Sequence, residues 1–198
     1  MVVLGLVTGT AGNLSVRLED RTILVTPSGV DYATLRADEL VPVGLDGQSL
    51  GAGLKPSVDT MTHVAIYRAR DDVRAVIHTH SPYAAAFSAL HRPIPALLTE
   101  PAGFLGGEVR VMNYLPPASP ELGYLMADGI GQDRAVLMPN HGVMAVGENP
   151  LKAFHAAVAV EESAHVAFLA EQLGTPFAVP DGEVERMNTF IHSRYGQR

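Results

Sequence analysis

Ala75-Val76-Ile77-His78-Thr79-His80 is a short apolar run that ends in two histidines one residue apart. Its β-branched residues predict a strand, and alternation along a strand turns His78 and His80 to one face and Thr79 to the other. Two neutral imidazoles on one rigid element suit Zn²⁺ or a similar borderline cation, which then needs one or two further ligands. Asn140-His141-Gly142 offers a third histidine at a turn-like glycine. An H-x-H pair by itself fits ordinary core or surface histidines equally well, so its surroundings must decide.

Outward from this strand, helical and extended patterns are interspersed. Upstream, residues 14–17 and 22–26 read as a hairpin around Glu19-Asp20-Arg21, and Pro27-Ser28-Gly29 breaks its second strand. Residues 32–40 predict a short helix at most, 41–43 a strand, and 46–53 a Gly-rich connection. Ser57, followed by Asp59 and Thr60, opens a capped helix reaching residue 70, with Met61, Val64, Ala65 and Tyr67 as its apolar side. Downstream, 82–90 is an Ala-rich helix, and Pro93 and Pro95 stop regular structure beyond it. Residues 109–112 predict a short strand and 116–129 a loop and helix; 135–138 and 143–146 form a strand pair flanking His141. The longest helical run, 150–173, stops at Gly174 with Pro176 beyond, and 181–198 is a further amphipathic helix. No internal repeat or low-complexity stretch occurs. Hairpin-like strand pairs among helices predict an α/β/α sandwich with a largely antiparallel central sheet.

A chain of 198 residues with 47% hydrophobic content can fill one core, and residues 1–198 are expected to form a single domain. The net charge of −7, with no Lys/Arg cluster, speaks against a nucleic-acid partner. Without cysteine, any metal must be held by His, Asp or Glu, and a reducing cytoplasm is the expected location. Residues 1–7 are apolar but too short to span a membrane, and they lack the basic region and cleavage site of a signal peptide.

Three polar turns carry donors for an anion: Gly12-Asn13, Ser28-Gly29 and Pro56-Ser57. Each is also an ordinary turn sequence. Asp59, at the start of a helix, reads either as a plain cap or as a base that moves a proton beside a metal. His63 reads as a packing or capping residue. His155, His165, Glu161 and Glu162 read as a solvated or interface face of the long helix.

The order of these pieces is informative. Thr10-Ala11-Gly12-Asn13-Leu14-Ser15, Thr26-Pro27-Ser28-Gly29-Val30-Asp31-Tyr32, Lys55-Pro56-Ser57-Val58-Asp59-Thr60-Met61-Thr62-His63, His78-Thr79-His80-Ser81 and Asn140-His141-Gly142 resemble the successive motifs of the class II aldolase/adducin family. The resemblance runs from Gly5 to about Leu173, and only the family's first helix looks missing. It implies that His78, His80 and His141 bind Zn²⁺ or another divalent cation. It further implies that Gly12, Asn13, Ser28, Gly29 and Ser57 hold a substrate phosphate, that Asp59 is the acid/base, and that Tyr195 closes over the site. The implied activity is an aldehyde-lyase that cleaves a small, phosphorylated ketose through a metal-stabilised enediolate, giving dihydroxyacetone phosphate or a close analogue and an aldehyde. The implied assembly is a C4 homotetramer with no membrane partner.

Sugar-phosphate 4-epimerisation and dehydration are the alternatives within the family, and a non-catalytic adducin-like interaction module is the alternative outside enzymes. Three retained histidines argue against the module. Val58 stands where the family commonly has a second Ser in the phosphate turn, which removes one hydroxyl donor. Asp59 resembles the epimerases, yet Gly103 stands where they carry a second acid, with Glu100 three residues away.

Overall fold

The computed structural model describes residues 1–194. Its strands are β1 (Asn13–Arg17), β2 (Ile23–Val25), β3 (Val41–Val43), β4 (Ala75–Thr79), β5 (Ala135–Met138) and β6 (Gly142–Gly147). They form one sheet in the order β3-β2-β1-β4-β6-β5, every neighbouring pair antiparallel. The helices are α1 (Thr60–Ala69), α2 (Pro82–Ala89), α3 (Thr99–Leu105), α4 (Pro120–Ile130), α5 (Pro150–Leu173) and α6 (Asp181–Ser193).

Strand alternation splits the core into two layers. Ala75, Ile77, Leu137, Val143 and Ala145 pack with the alanine-rich face of α5 and with α2. Val76, Val136, Met138, Met144 and Val146 point the other way, onto Val64, Ile66 and Tyr67 of α1 and Leu122, Met126 and Ile130 of α4. Both sheet faces are therefore covered, which is why β4, β5 and β6 are buried at every position rather than at alternate ones. The expected α/β/α sandwich with an antiparallel sheet is present.

Local readings differ at four places. Residues 109–112 form isolated bridges, Ile94 with Val109 and Val111 with Leu137, and no strand; Pro93 and Pro95 on either side of Ile94 fix φ at about −65°, away from the extended value of an antiparallel strand. Residues 32–40 contain only a 3₁₀ turn at Ala37–Glu39. Helix α3 has no counterpart in the sequence reading; Pro101 is tolerated in its first turn, where backbone N–H groups have no intrahelical partner. Met61, expected on the apolar side of α1, is 48% exposed, and Thr62 and His63 are buried instead.

Candidate active site

Antiparallel pairing brings the motifs together. Strands β1 and β6 begin, and β2 and β4 end, at the same end of the sheet. Asn13 lies opposite His78, and His78 opposite Met144. Gly12, which precedes Asn13, adopts φ +74, and a Cβ there would lie 2.6 Å from the His78 carbonyl oxygen and 2.7 Å from Val7 Cγ1. Only glycine permits both this backbone conformation and this approach to the histidine strand.

His78 and His80 leave the end of β4 on one face, as the alternation predicts, and meet His141. The Nε2 of His78 is 2.8 Å from Nε2 of His80 and 3.3 Å from Nε2 of His141. His141 sits in the turn joining β5 to β6, where Asn140 takes φ +55. Ser88 of α2 pins that turn: its Oγ donates to the Met138 carbonyl and accepts from the His141 backbone N–H at 3.2 Å, while its own carbonyl accepts from the Asn140 N–H. Gly142 lets the turn press against the Thr79 carbonyl and the His80 ring.

The donor set fits a cation. The Nδ1 of His78 is 2.8 Å from the Val143 carbonyl, which can only accept, so the proton resides on Nδ1 and the Nε2 lone pair faces the cluster. Burial, together with the neighbouring imidazoles, pushes the His78 pKa down to about 3 despite the opposing pull of Asp59. His80 is shifted in the same direction, chiefly by burial. Neutral imidazoles with converging lone pairs repel unless a cation lies between them. Zinc–nitrogen bonds of about 2.0–2.1 Å in tetrahedral array put the nitrogens roughly 3.3–3.4 Å apart, which the 3.3 Å between His78 and His141 matches and which the 2.8 Å between His78 and His80 would reach by a shift of about half an ångström.

Asp59 stands beside this cluster at the N-cap of α1, 4% exposed. Its side chain caps no helical N–H, so the plain-cap alternative is not what the residue does. Its Oδ2 instead accepts from Asn13 Nδ2 at 2.7 Å, and its Oδ1 is buried with no partner among the described residues. The helix start is held by Ser57, whose Oγ accepts from the Asp59 N–H at 3.3 Å and whose carbonyl accepts from Thr60 Oγ1 at 2.6 Å.

A bridge between Pro27 and Pro56 joins the two serine turns, with Ser28 N–H donating to the Lys55 carbonyl and Ser57 N–H to that of Thr26. Ser28 and Gly29 are exposed and Ser57 is buried. Asn13 commits its amide N–H to Asp59, so of the residues read as anion donors it faces the carboxylate. Val58 is exposed between Ser57 and Asp59. Tyr195 lies outside the described residues.

Sequence reading assigned no role to Tyr32, which donates its hydroxyl to the Gly12 carbonyl; its pKa is raised, first by burial and also by the charge of Asp59. It also missed Ser88. Glu161, read as part of a solvated or interface face, accepts from the Tyr83 and Ala84 N–H groups at 3.0 and 2.9 Å. It thereby caps α2 immediately after His80, a case of an acid favoured at a helix N-terminus. Glu100 is exposed at the start of α3, lining a cleft of about 530 Å³ with Lys152, His155 and Phe190. Gly103 packs against Met187 of α6.

Residues 1–168 match the class II aldolase and adducin N-terminal domain. The chain is 33% identical over 199 residues to the 5-deoxy-D-ribulose 1-phosphate aldolase of Bacillus thuringiensis serovar kurstaki, covering all of this chain and 92% of that protein. It is 38% identical over 184 residues to the 5-methylthioribulose-1-phosphate/5-deoxyribulose-1-phosphate aldolase of Rhodospirillum rubrum, covering 93% of this chain and 82% of that one. Among solved structures, an L-fuculose 1-phosphate aldolase superposes with a TM-score of 0.92 at 34% identity, over 96% of this chain and 90% of that chain. With the motifs in order and the histidines gathered at one end of the sheet, the chain belongs to the class II aldolase and adducin family.

Proposed function

We propose that this protein is a metal-dependent aldolase that cleaves a small ketose phosphate to dihydroxyacetone phosphate, or a close analogue, and an aldehyde. The observation that carries this reading is the buried Asp59 carboxylate, held by Asn13, beside three imidazoles within 4.8 Å of one another. An interaction module has no use for such a grouping. A divalent cation held by His78, His80 and His141, with Zn²⁺ the best match to an all-nitrogen set, would supply Lewis-acid polarisation of a ketose carbonyl.

Asp59 carries the proton. It takes one from the hydroxyl beside the bond that breaks, the electron pair of that bond moves toward the ketose carbonyl, and a proton is returned to the carbon left behind. Asn13 fixes the carboxylate by occupying Oδ2, leaving Oδ1 for the transfer. Ser28, Gly29 and Ser57, with Gly12 beside them, supply donors for the phosphate. Tyr195 is proposed to close over the site, and a cytoplasmic C4 homotetramer is the proposed working form. The two aldolase relatives make 5-deoxyribulose 1-phosphate a first substrate to test.

Epimerisation shares the same bond cleavage, and an Asp at position 59 favours it. Gly103 buried against Met187 supplies no second acid, and Glu100 lines a different cleft. Incubation with a panel of ketose phosphates and free ketoses separates the readings. Release of dihydroxyacetone phosphate supports the aldolase, a stereoisomer as sole product supports the epimerase, and no turnover by cation-loaded protein on any of them refutes the proposal.

A further inference from the structure

Residues 27–31, which carry Ser28 and Gly29, belong to no helix and lie outside every strand of the sheet. The segment is nevertheless tied at both ends to the start of β1. Upstream, Thr26 and Leu14 are paired, the Thr26 N–H donating to the Leu14 carbonyl at 2.9 Å and the Leu14 N–H to Thr26 Oγ1 at 3.1 Å. Downstream, the half-buried Tyr32 donates its hydroxyl to the Gly12 carbonyl. Tyr32 is itself carried on a closed turn: the Ala33 N–H donates to Asp31 Oδ1 at 2.8 Å, and the Thr34 and Leu35 N–H groups to the Asp31 carbonyl at 3.0 Å each. Asn13, whose amide holds Asp59, lies between the two anchored residues Gly12 and Leu14.

The direction of each bond is fixed by chemistry, since a carbonyl only accepts and a backbone N–H only donates. Leu14 N–H therefore donates to Thr26 Oγ1, the Thr26 hydroxyl to Tyr32, and Tyr32 to Gly12, so every proton in the chain of bonds has one place to go. Burial, and after it the charge of Asp59, raise the Tyr32 pKa against the bond from Thr26, which keeps the phenol a donor at neutral pH. On its other side the turn is joined to Ser57 by the Pro27–Pro56 bridge and by the Ser28 N–H on the Lys55 carbonyl. Tyr32 fixes the downstream side against Gly12. A phosphate on Ser28 and Gly29 and a reacting bond at Asp59 are then separated by a span that runs through the Tyr32–Gly12 contact.

We propose that Tyr32 is a positioning residue for the phosphate end of the substrate: its hydroxyl holds the Ser28-Gly29 turn in place before the ligand arrives, at a set distance from Asn13 and Asp59. The inference rests on that turn seating the phosphate in the proposed reaction, and its test needs no turnover. Without the hydroxyl the ligand must itself order residues 27–31, and the net worth of one neutral hydrogen bond corresponds to about 2–12-fold in affinity. In Zn²⁺-loaded, full-length protein, calorimetric titration with dihydroxyacetone phosphate, and displacement of it by dihydroxyacetone, read the phosphate contribution as the ratio of the two Kd values. Tyr32→Phe, which keeps the ring, should lower that ratio about three- to tenfold, with dihydroxyacetone affinity within about twofold and cation content unchanged. Ser28→Ala should lower it as well, and the double variant should lose little more than the worse single variant, because both act through one turn. Equal weakening of both ligands, additive losses in the double variant, or failure of Tyr32→Phe to fold identifies a merely structural residue and overturns the inference. An unchanged ratio in Tyr32→Phe, or no preference for the phosphorylated ligand in the native protein, overturns it too. If the preference is present and falls in Tyr32→Phe but no ketose phosphate is cleaved, the proposed function fails while the role of Tyr32 in seating a phosphate stands.

Discussion

Replacing Gly12 with alanine tests how tightly the turn before β1 is coupled to the histidine strand. At φ +74 an L-residue incurs the left-handed penalty of about 1–2 kcal/mol. The added Cβ would also stand 2.6 Å from the His78 carbonyl oxygen and 2.7 Å from Val7 Cγ1. Neither neighbour is the free end of a flexible chain, since one is sheet backbone and Val7 is buried. Overpacking of this kind costs about 1–3 kcal/mol, for a total of roughly 2–5 kcal/mol. Gly29→Ala is the control. It has φ +73 and open space around the new methyl, so only the first cost applies.

Each kcal/mol lowers Tm by about 2–4 °C in a chain of this size. Calorimetry should therefore show Gly29→Ala down by about 2–8 °C and Gly12→Ala down by roughly 4–20 °C, the difference reporting the contact. Zn²⁺ titration should show weaker binding in Gly12→Ala alone, because the displaced carbonyl belongs to His78. Equal melting temperatures for the two variants would refute the argument that Gly12 is required by close approach.

Metal analysis should find about one divalent cation per chain, abolished in His78→Ala; cation-free native protein that is stably folded and takes up no Zn²⁺ would contradict the site. Ser88→Ala removes both hydroxyl bonds that fix the His141 turn, and loss of such an outer support typically weakens a metal site about 10–100-fold, which Zn²⁺ competition against a chelator measures. The pH dependence of stability is set in part by His63, whose pKa burial pushes down to about 4 against a partial opposing effect of Asp59. Between that value and the unfolded value of about 6.5 the unfolded chain binds the extra proton, so stability is full above about pH 6.5 and falls with acidification until about pH 4, by up to about 1.4 kcal/mol per pH unit for this group. Urea unfolding of metal-free protein from pH 7.5 to 4 should show this decline, lessened in His63→Gln.

Much of this architecture is legible in one dimension. Pairing of 135–138 with 143–146, the helix over 150–173 and the placement of His78 and His80 on one face come from period, turn residues and caps, which are local. What failed were segments whose state depends on distant partners. Val109 makes one bridge and no strand, because the Ile94 it meets lies between Pro93 and Pro95, whose fixed φ departs from the extended strand value. Residues 99–105 are helical through packing against α6, and Glu161 is a cap because α2 starts above it.

The site divides in the same way. The residue types capable of holding a cation, and their order along the chain, are properties of the sequence, since a strand's alternation alone puts two imidazoles on one side. That His141 completes the cluster, that Asp59 is tied to Asn13 rather than to its own helix, and that His63 lies in a polar column with Ser15 and Tyr67 depend on antiparallel register and on α1 lying along β1. Those contacts join residues 46 to 65 positions apart, separations at which local propensity carries no information and only burial of both sheet faces fixes which side chains meet.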